Sequence, residues 1–179
     1  MRMLISIVMI AAGSSVVHAD WAHSMTEDPF QGDAHVAVAV EPGSGYAAGF
    51  RCIVGQDAEL SFIFMTPEKM EDVRALSAMP IKLLVIVDDQ PKVELEGTAD
   101  TVGDADHLRI YSKDPAVSGL IKAALDAKRR LAVAAEMVGQ IFHSHTFSMR
   151  GSTRAISEFT SGCKLPLQPQ APSAATPER

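Results

Sequence analysis

Short apolar runs alternate along the chain with turn-forming residues, and this pattern predicts a β-rich protein. Runs rich in valine, isoleucine and phenylalanine favour strands, because β-branched and aromatic side chains suit a pleated, half-buried surface. The predicted strands span residues 35–40, 46–54, 59–65, 81–87, 92–97, 108–111, 131–137 and 140–149. Pro42, Gly43 and Gly139 lie between strands, where Pro and Gly supply the backbone angles that tight turns need.

The strand at residues 81–87 is the most apolar of the set. Alternate residues of a strand share a face, and one face would carry Ile81, Leu83, Val85 and Val87. Leu84 and Ile86 make the opposite face apolar as well. A strand with two apolar faces is typical of a covered position, so we predict that this strand is central in its sheet.

Helix-start residues predict two or three helices. Thr66 and Pro67 read as the N-cap and first position of a short helix that ends before Pro80, with an ordered loop as the alternative. Asp114 begins a clearer helix, whose apolar stripe would be Val117, Leu120, Ile121, Ala124 and Leu125. Ser152 is the predicted N-cap of the last helix. The sequence therefore predicts an α+β fold, with a β-rich antiparallel sheet or sandwich and two or three packed helices.

The first 19 residues have the organisation of a cleavable signal peptide. Arg2 provides the positive region, residues 3–12 form an apolar run, and residues 17–19 approximate a cleavage site ending in Ala19. This apolar run is too short to cross a bilayer, which needs about 20 residues. We predict a mature chain that starts at Asp20 and has no transmembrane segment, with a single β-rich globular domain over residues 20–165. Residues 166–179 form a predicted disordered, Pro-rich tail.

Charge and cysteine content fit an exported protein. A net charge of −6 argues against a nucleic-acid partner, which favours a basic surface. Cys52 and Cys163 are the two cysteines of the chain, and an even count in an exported protein predicts a disulfide. A pair of free buried thiols is the alternative. No C-x-x-C redox motif is present.

Candidate sites for chemistry are few. His143 and His145 are two residues apart in a predicted strand, so they share a face and could bind a metal ion together. No third ligand is apparent, and two polar positions near the sheet rim are the simpler interpretation. The acidic stretch at residues 100–107 departs from the calcium-loop pattern and is interpreted as a solvated turn. Asp88 and Asp89 are interpreted as turn residues, because adjacent strand residues face opposite ways.

The motifs of nucleophilic and nucleotide-binding enzymes are missing. The chain has no G-x-S-x-G, P-loop or G-x-G-x-x-G pattern. We therefore expect a non-enzymatic protein without a cofactor and assign no catalytic residue.

Several local patterns together resemble a known family. Arg51 precedes Cys52 at the end of an early strand, residues 87–91 read VDDQP, and Trp21 follows the predicted cleavage site. The last segment has a spaced set of residues: Phe147, Gly151, Ala155, Ile156, Phe159 and Cys163. This pattern is similar to that of small exported Gram-negative envelope proteins, including type VI secretion-associated accessory proteins and their uncharacterised alphaproteobacterial relatives. The resemblance implies a periplasmic, non-catalytic protein. Gly151 would let the chain turn abruptly from a strand into a helix.

The sequence thus predicts an exported, periplasmic or secreted binding or accessory protein with an envelope or secreted protein as its partner. Two alternatives remain open. One is a small secreted metal-dependent hydrolase that uses His143 and His145. The other is a secreted factor that interacts with a host or a competitor cell.

Overall fold

The protein folds as one nine-stranded antiparallel sheet with three helices in the part of the chain that is described. The computed structural model describes residues 20–27, 32–55, 59–70, 72–102 and 106–165. Its strands are β1 (Asp20–Thr26), β2 (Asp33–Val40), β3 (Ala47–Val54), β4 (Glu59–Lys69), β5 (Ile81–Val87), β6 (Val93–Val102), β7 (His107–Ser112), β8 (Arg130–Met137) and β9 (Gln140–Ser148). Its helices are α1 (Arg74–Ser77), α2 (Val117–Asp126) and α3 (Ser152–Gly162). The predicted α+β class is confirmed. The sequence left open whether the strands form one sheet or a sandwich, and the structure has a single sheet.

The sheet curls until its two ends meet. Its strand order is β1-β2-β3-β4-β7-β6-β5-β8-β9, so β1 and β9 lie at opposite ends. Even so, the backbone N–H of Trp21 in β1 donates to the carbonyl oxygen of Arg150 just beyond β9, at 3.3 Å. The indole Nε1 of Trp21 also donates to the carbonyl oxygen of Ser148, at 3.0 Å. The curl therefore has an inner and an outer face.

The core lies on the inner face, where α2 and α3 pack against each other and against the sheet. Its largest fully buried side chains include Phe50, Phe62, Phe64, Leu83, Leu131, Phe147, Ile156 and Phe159. Burial of one such side chain stabilises the fold by about 1.5–3 kcal/mol. The predicted inward residues of β5 are all buried, and β5 lies between β6 and β8, as expected for a covered strand.

The helix predicted to begin at Thr66 is wrong. β4 continues to Lys69, and among the described residues of this region only 74–77 are helical. Thr66 is fully buried, and its Oγ1 donates to the carbonyl oxygen of Leu108 at 3.4 Å and accepts the N–H of Glu68 at 3.3 Å. A Thr hydroxyl that accepts an N–H two residues on is a capping interaction. Here it lies in an irregularity of the β4–β7 pairing between Met65 and Lys69.

Strand β1 was not predicted, because its sequence carries little apolar periodicity. Its residues read DWAHSMT, and Trp21 is the one buried member. All seven residues nevertheless pair with β2. A single buried residue leaves no apolar period to detect in the sequence. Backbone pairing with β2 and the burial of Trp21 hold this strand in the sheet.

The two longer helices begin close to their predicted starts. Asp114 accepts the N–H of Ala116 at 2.8 Å, and α2 then starts at Val117. The N-cap of α3 is Gly151 and not the predicted Ser152, because Gly151 takes the left-handed conformation with φ of 80°. This angle confirms the expected role of Gly151, since glycine tolerates positive φ. Ser152 is instead a buried residue of the first turn.

The β8–β9 hairpin turns at Val138 and Gly139, as predicted, and stores strain there. Both residues have positive φ, at 52° for Val138 and 76° for Gly139. Two-residue hairpin turns of this kind favour Asn-Gly, because a β-branched residue is crowded at positive φ. Val138 is also 79% exposed, so burial contributes little to offset the strain.

We expect Val138→Asn to raise the free energy of unfolding by about 1 kcal/mol, since asparagine tolerates the left-handed conformation. Urea unfolding of the purified protein measures the change. Val138→Thr is the matched control, because it is polar but keeps the branched side chain, and it should give no such gain. Equal gains from both variants would attribute the effect to the loss of an exposed apolar group instead of to backbone strain.

Candidate functional site

His143 and His145 lie on the inner face of edge strand β9. They stand opposite Ala135 and Val133 of β8 in the pairing register, next to a β-bulge at Ala135 and Glu136. Their side chains are 14% and 20% exposed. The prediction that they share one face is confirmed, and they lie at the edge of the sheet.

Tyr46 connects the turn between β2 and β3 to these histidines. Its ring stacks on His145, with centroids 4.6 Å apart and planes 10° apart. It also stacks on Phe64 of β4, at 5.8 Å and 13°. The Tyr46 hydroxyl lies 3.2 Å from Nδ1 of His143. Aromatic stacking and one hydrogen bond thus join residues that are 97 positions apart in the chain.

Two glutamates complete this histidine cluster, which we define as Glu41, Tyr46, Glu68, His143 and His145. Glu68 Oε2 lies 2.8 Å from His143 Nε2, and the Glu41 carboxylate lies against His145 Nε2. A carboxylate can only accept, so Nε2–H of His143 donates to Glu68, and in the neutral form of this imidazole Nδ1 accepts the Tyr46 O–H. This order resembles the base and orienting residue of a hydrolytic site.

The geometry of the cluster favours a structural role for these side chains. The ring of Tyr46 has an aromatic or imidazole ring stacked on each face, so the hydroxyl is fixed inside the cluster. Each histidine has its own glutamate, and in the described residues no three His, Cys, Asp or Glu side chains are grouped so as to hold a metal ion. The cluster ties the β2–β3 turn, the end of β4 and edge strand β9 together.

The C-terminal pattern forms a second constellation, around α3. Cys163 at the end of α3 is joined to Cys52 of β3 by a disulfide, with Cα atoms 6.2 Å apart. Phe159 packs near Phe50 of β3, with ring centroids 6.2 Å apart. The other members of the predicted motif, Phe147, Ala155 and Ile156, are buried in the same core. The predicted pairing is confirmed, and the helix is fixed to the sheet by packing and by a covalent bond.

A further histidine pair lies beside this helix. His23 of β1 and His35 of β2 stack with ring centroids 5.4 Å apart, and His23 Nε2 lies 3.2 Å from His35 Nδ1. Glu158 of α3 approaches His23 Nδ1 at 3.7 Å. His23 and His35 are 12 positions apart in the chain, and the pairing of β1 with β2 brings them together.

Asp88 shows what the acidic turn after β5 does. Its carboxylate accepts backbone N–H groups of Lys128, Arg129 and Arg130, at 2.8, 2.9 and 2.9 Å. The bonds from Lys128 and Arg130, with a smaller effect of Arg129, hold the pKa of Asp88 below its ordinary value. Asp89 instead forms an ion pair with Arg129. Both aspartates are turn residues, which agrees with the sequence interpretation, and they contact the same segment in different ways: Asp88 accepts its backbone N–H groups, and Asp89 pairs with its arginine side chains.

We expect Asp88→Asn to lower the free energy of unfolding by about 2 kcal/mol at pH 7, because an amide cannot accept all three N–H groups. The folded-state pKa of Asp88 is lowered, so its contribution is present above the unfolded pKa and is lost as pH falls through the folded pKa. The difference between wild type and variant should therefore shrink below pH 3.8, the ordinary value. Urea unfolding at pH 7 and pH 3 measures it.

Asp89→Asn is the control for this prediction. Its carboxylate is 69% exposed and pairs with an exposed arginine, so it should cost under about 1 kcal/mol. Similar losses for both variants would contradict the role given to the backbone bonds of Asp88.

The acidic stretch at residues 100–107 is divided among different partners. Asp100 binds Arg109 through Nε at 2.8 Å, and the carbonyl oxygen of Asp106 accepts the N–H of Met70 at 2.9 Å. Asp104 lies outside the described residues, as do the predicted signal peptide and the tail.

Residues that the sequence did not single out, Glu41, Tyr46 and Glu68, supply most of the histidine cluster. Nothing in their local sequence marks them, because their contacts depend on the curl of the sheet. None of the helices in the described ranges is long and apolar enough to cross a membrane. The chain matches no family model, and no curated protein or solved structure matches it either.

Proposed function

We propose that this chain is exported to the periplasm of a Gram-negative cell, where it acts as a non-enzymatic binding or accessory protein of the envelope. The observation that carries the proposal is the disulfide between Cys52 and Cys163. Disulfides of this structural kind form and persist in oxidising compartments and are rare in the cytosol. The bond joins β3 to the end of the last helix across a separation of 111 residues, so an oxidising compartment would stabilise this fold.

Trp21 supports the same proposal. It lies one residue after Asp20, the predicted first residue of the mature chain, is 7% exposed, and donates its indole N–H to the carbonyl oxygen of Ser148 at the far end of the sheet. A cut after residue 19 would keep this anchoring residue in the mature chain.

An accessory role accords with how the reactive side chains are used. The imidazoles of His143 and His145 are engaged by Glu68, Tyr46 and Glu41. These contacts hold together segments that are distant in the sequence, namely the β2–β3 turn, the end of β4 and β9, as the disulfide does for β3 and α3. The resemblance to type VI secretion-associated accessory proteins supports the same class of role, and participation in such a system is part of this proposal.

Cell fractionation with intact mass spectrometry tests the proposal. Bacteria that express the full chain should hold it in the periplasm, with Asp20 at the N terminus and a mass lower by the two hydrogens that a disulfide removes. A full-length cytosolic protein with free thiols would contradict export. Release into the medium would favour the secreted interaction factor instead.

Metal analysis separates the accessory role from the hydrolase alternative. The purified periplasmic protein should lack stoichiometric zinc after incubation with zinc and desalting. Zinc that is retained by wild type and lost in His143→Ala would overturn the non-enzymatic assignment, since it would show that the histidine cluster rearranges to bind a metal ion.

A further inference from the structure

The outer face of the sheet carries a small polar pocket of about 150 Å³, between β3, β4, β7 and β6. We call it the outer pocket and define it by Arg51, Glu59, Ser61, Arg109, Tyr111 and Lys113. It lies on the face opposite the core, the helices and the histidine cluster. A volume near 150 Å³ matches that of a benzene-sized group, so the outer pocket has room for one small ligand group.

The pairing register gathers positive charge at this place. Arg51 of β3 stands opposite Ser61 of β4, and Tyr111 of β7 stands opposite Ile63 of β4. Arg109 and Lys113 are each two residues from Tyr111, so all three share its face. Three cations therefore converge on one patch of a chain whose net charge is −6.

Two of these cations are held in place by carboxylates. Lys113 Nζ lies 2.8 Å from Glu59, and Arg109 Nε donates to Asp100 at 2.8 Å. The hydrogen bonds that Arg109 and Lys113 donate to these carboxylates raise the pKa of both cations. Both also flank the Tyr111 ring, with Arg109 Cζ 5.7 Å and Lys113 Nζ 5.8 Å from its centroid.

Arg51 is the cation whose donors are left for a ligand. In the described ranges no carboxylate lies within ion-pair distance of its guanidinium, which has five N–H donors. The charge of Arg51 also opposes the rise in the pKa of Lys113 that Glu59 causes. Like charges that face each other in this way repel, and an anion placed between them would remove that repulsion.

We propose that the outer pocket binds a small oxyanion, a carboxylate or phosphate group, with Arg51 as its main ligand and Lys113 as its second cation. The planar guanidinium fork matches either group through two parallel hydrogen bonds. Asp100 and Glu59 position Arg109 and Lys113, and the two carboxylates against three cations leave a single positive charge for the ligand. This site goes beyond the proposed function, because anion binding by the purified protein does not depend on export.

NMR titration of the purified, oxidised protein tests the site. Inorganic phosphate and acetate, each at constant ionic strength held with chloride, should cause saturable shifts of the Arg51, Ser61 and Tyr111 amides in the millimolar range. The anion that saturates at the lower concentration identifies the group the pocket prefers. Arg51→Ala should weaken binding by about tenfold or more. Arg74→Ala, at an exposed arginine of α1 that pairs with Asp72, removes the same charge and should leave the affinity unchanged.

Stability measurements provide a second test that needs no variant. A ligand that binds only the folded state raises the unfolding midpoint with its concentration. Phosphate or acetate should therefore stabilise wild type more than chloride of equal ionic strength. Shifts that do not saturate, equal affinities for wild type and Arg51→Ala, or no stabilisation beyond that of chloride would each overturn the proposal. A cytosolic location of the chain would overturn the proposed function and leave this site in place.

Discussion

Replacing Cys52 with serine should lower the free energy of unfolding by about 4–5 kcal/mol. The disulfide to Cys163 spans 111 residues of chain, and a cross-link over so long a loop removes many conformations from the unfolded state. Both cysteines are buried in the core, where the thiol left behind adds little cost of its own because it behaves as a small hydrophobic group. Urea unfolding of the oxidised wild type and the variants, followed by circular dichroism, measures the loss.

The pairing makes a stricter prediction for the double variant. If one bond accounts for the effect, Cys52→Ser and Cys163→Ser should cost alike, and the double variant should cost about as much as either single one. Wild type treated with a reductant is the matched control, since it loses the bond and keeps both sulfur atoms. Costs that add in the double variant would show that the residues stabilise the fold separately.

The parts of the fold that the sequence predicted are those decided by local pattern. Strand β5 and helix α2 carry apolar residues at periods of two and of three to four, and burial follows those periods. The β8–β9 hairpin follows from Gly139 between two apolar runs. The disulfide could be predicted without a structure, because two cysteines in an exported chain allow only one pairing.

The helix start at Thr66 was predicted wrongly because the same local interaction occurs both at helix starts and in irregular strands. Thr66 has the hydroxyl and the neighbouring Pro67 of a helix start, but the same hydroxyl can accept an N–H two residues on in a strand irregularity. Burial of Thr66 against β7 decides between them, and this contact is 42 residues away in the chain. The local sequence around Thr66 does not indicate that β4 pairs with β7.

The histidine cluster and the outer pocket show the same limit more strongly. The spacing of His143 and His145 predicted that both side chains lie on one face of the strand. Tyr46 and Glu68 contact them only because the sheet curls. Likewise, Arg51 and Lys113 are far apart in sequence and meet only through the order of β3, β4 and β7. That order is not sequential, since β7 pairs with β4 ahead of β5 and β6. Local periodicity predicts which side chains of a strand share a face. It does not predict which distant strands become neighbours in the sheet.

Gly49 of β3 should be the least tolerant glycine toward alanine on the outer face of the sheet. A Cβ at this position would overlap the backbone carbonyl oxygen of Ala37 and lie 2.7 Å from the Cα of Val38. Both contacts are to the backbone of β2, which Gly49 faces directly in the pairing register. Backbone cannot move aside as a flexible side chain can, so β2 and β3 would have to separate and weaken their shared hydrogen bonds.

We therefore expect Gly49→Ala to lower the free energy of unfolding by about 3 kcal/mol, at the upper end for an overpacked site. Gly119→Ala is the matched control, because Gly119 lies in α2 with open space around the new Cβ. Alanine should stabilise the helix there by about 0.5–1 kcal/mol. The same substitution then has opposite signs at two positions, as urea unfolding would record. An unchanged stability of Gly49→Ala would mean that β2 and β3 lie farther apart at this position than the pairing places them.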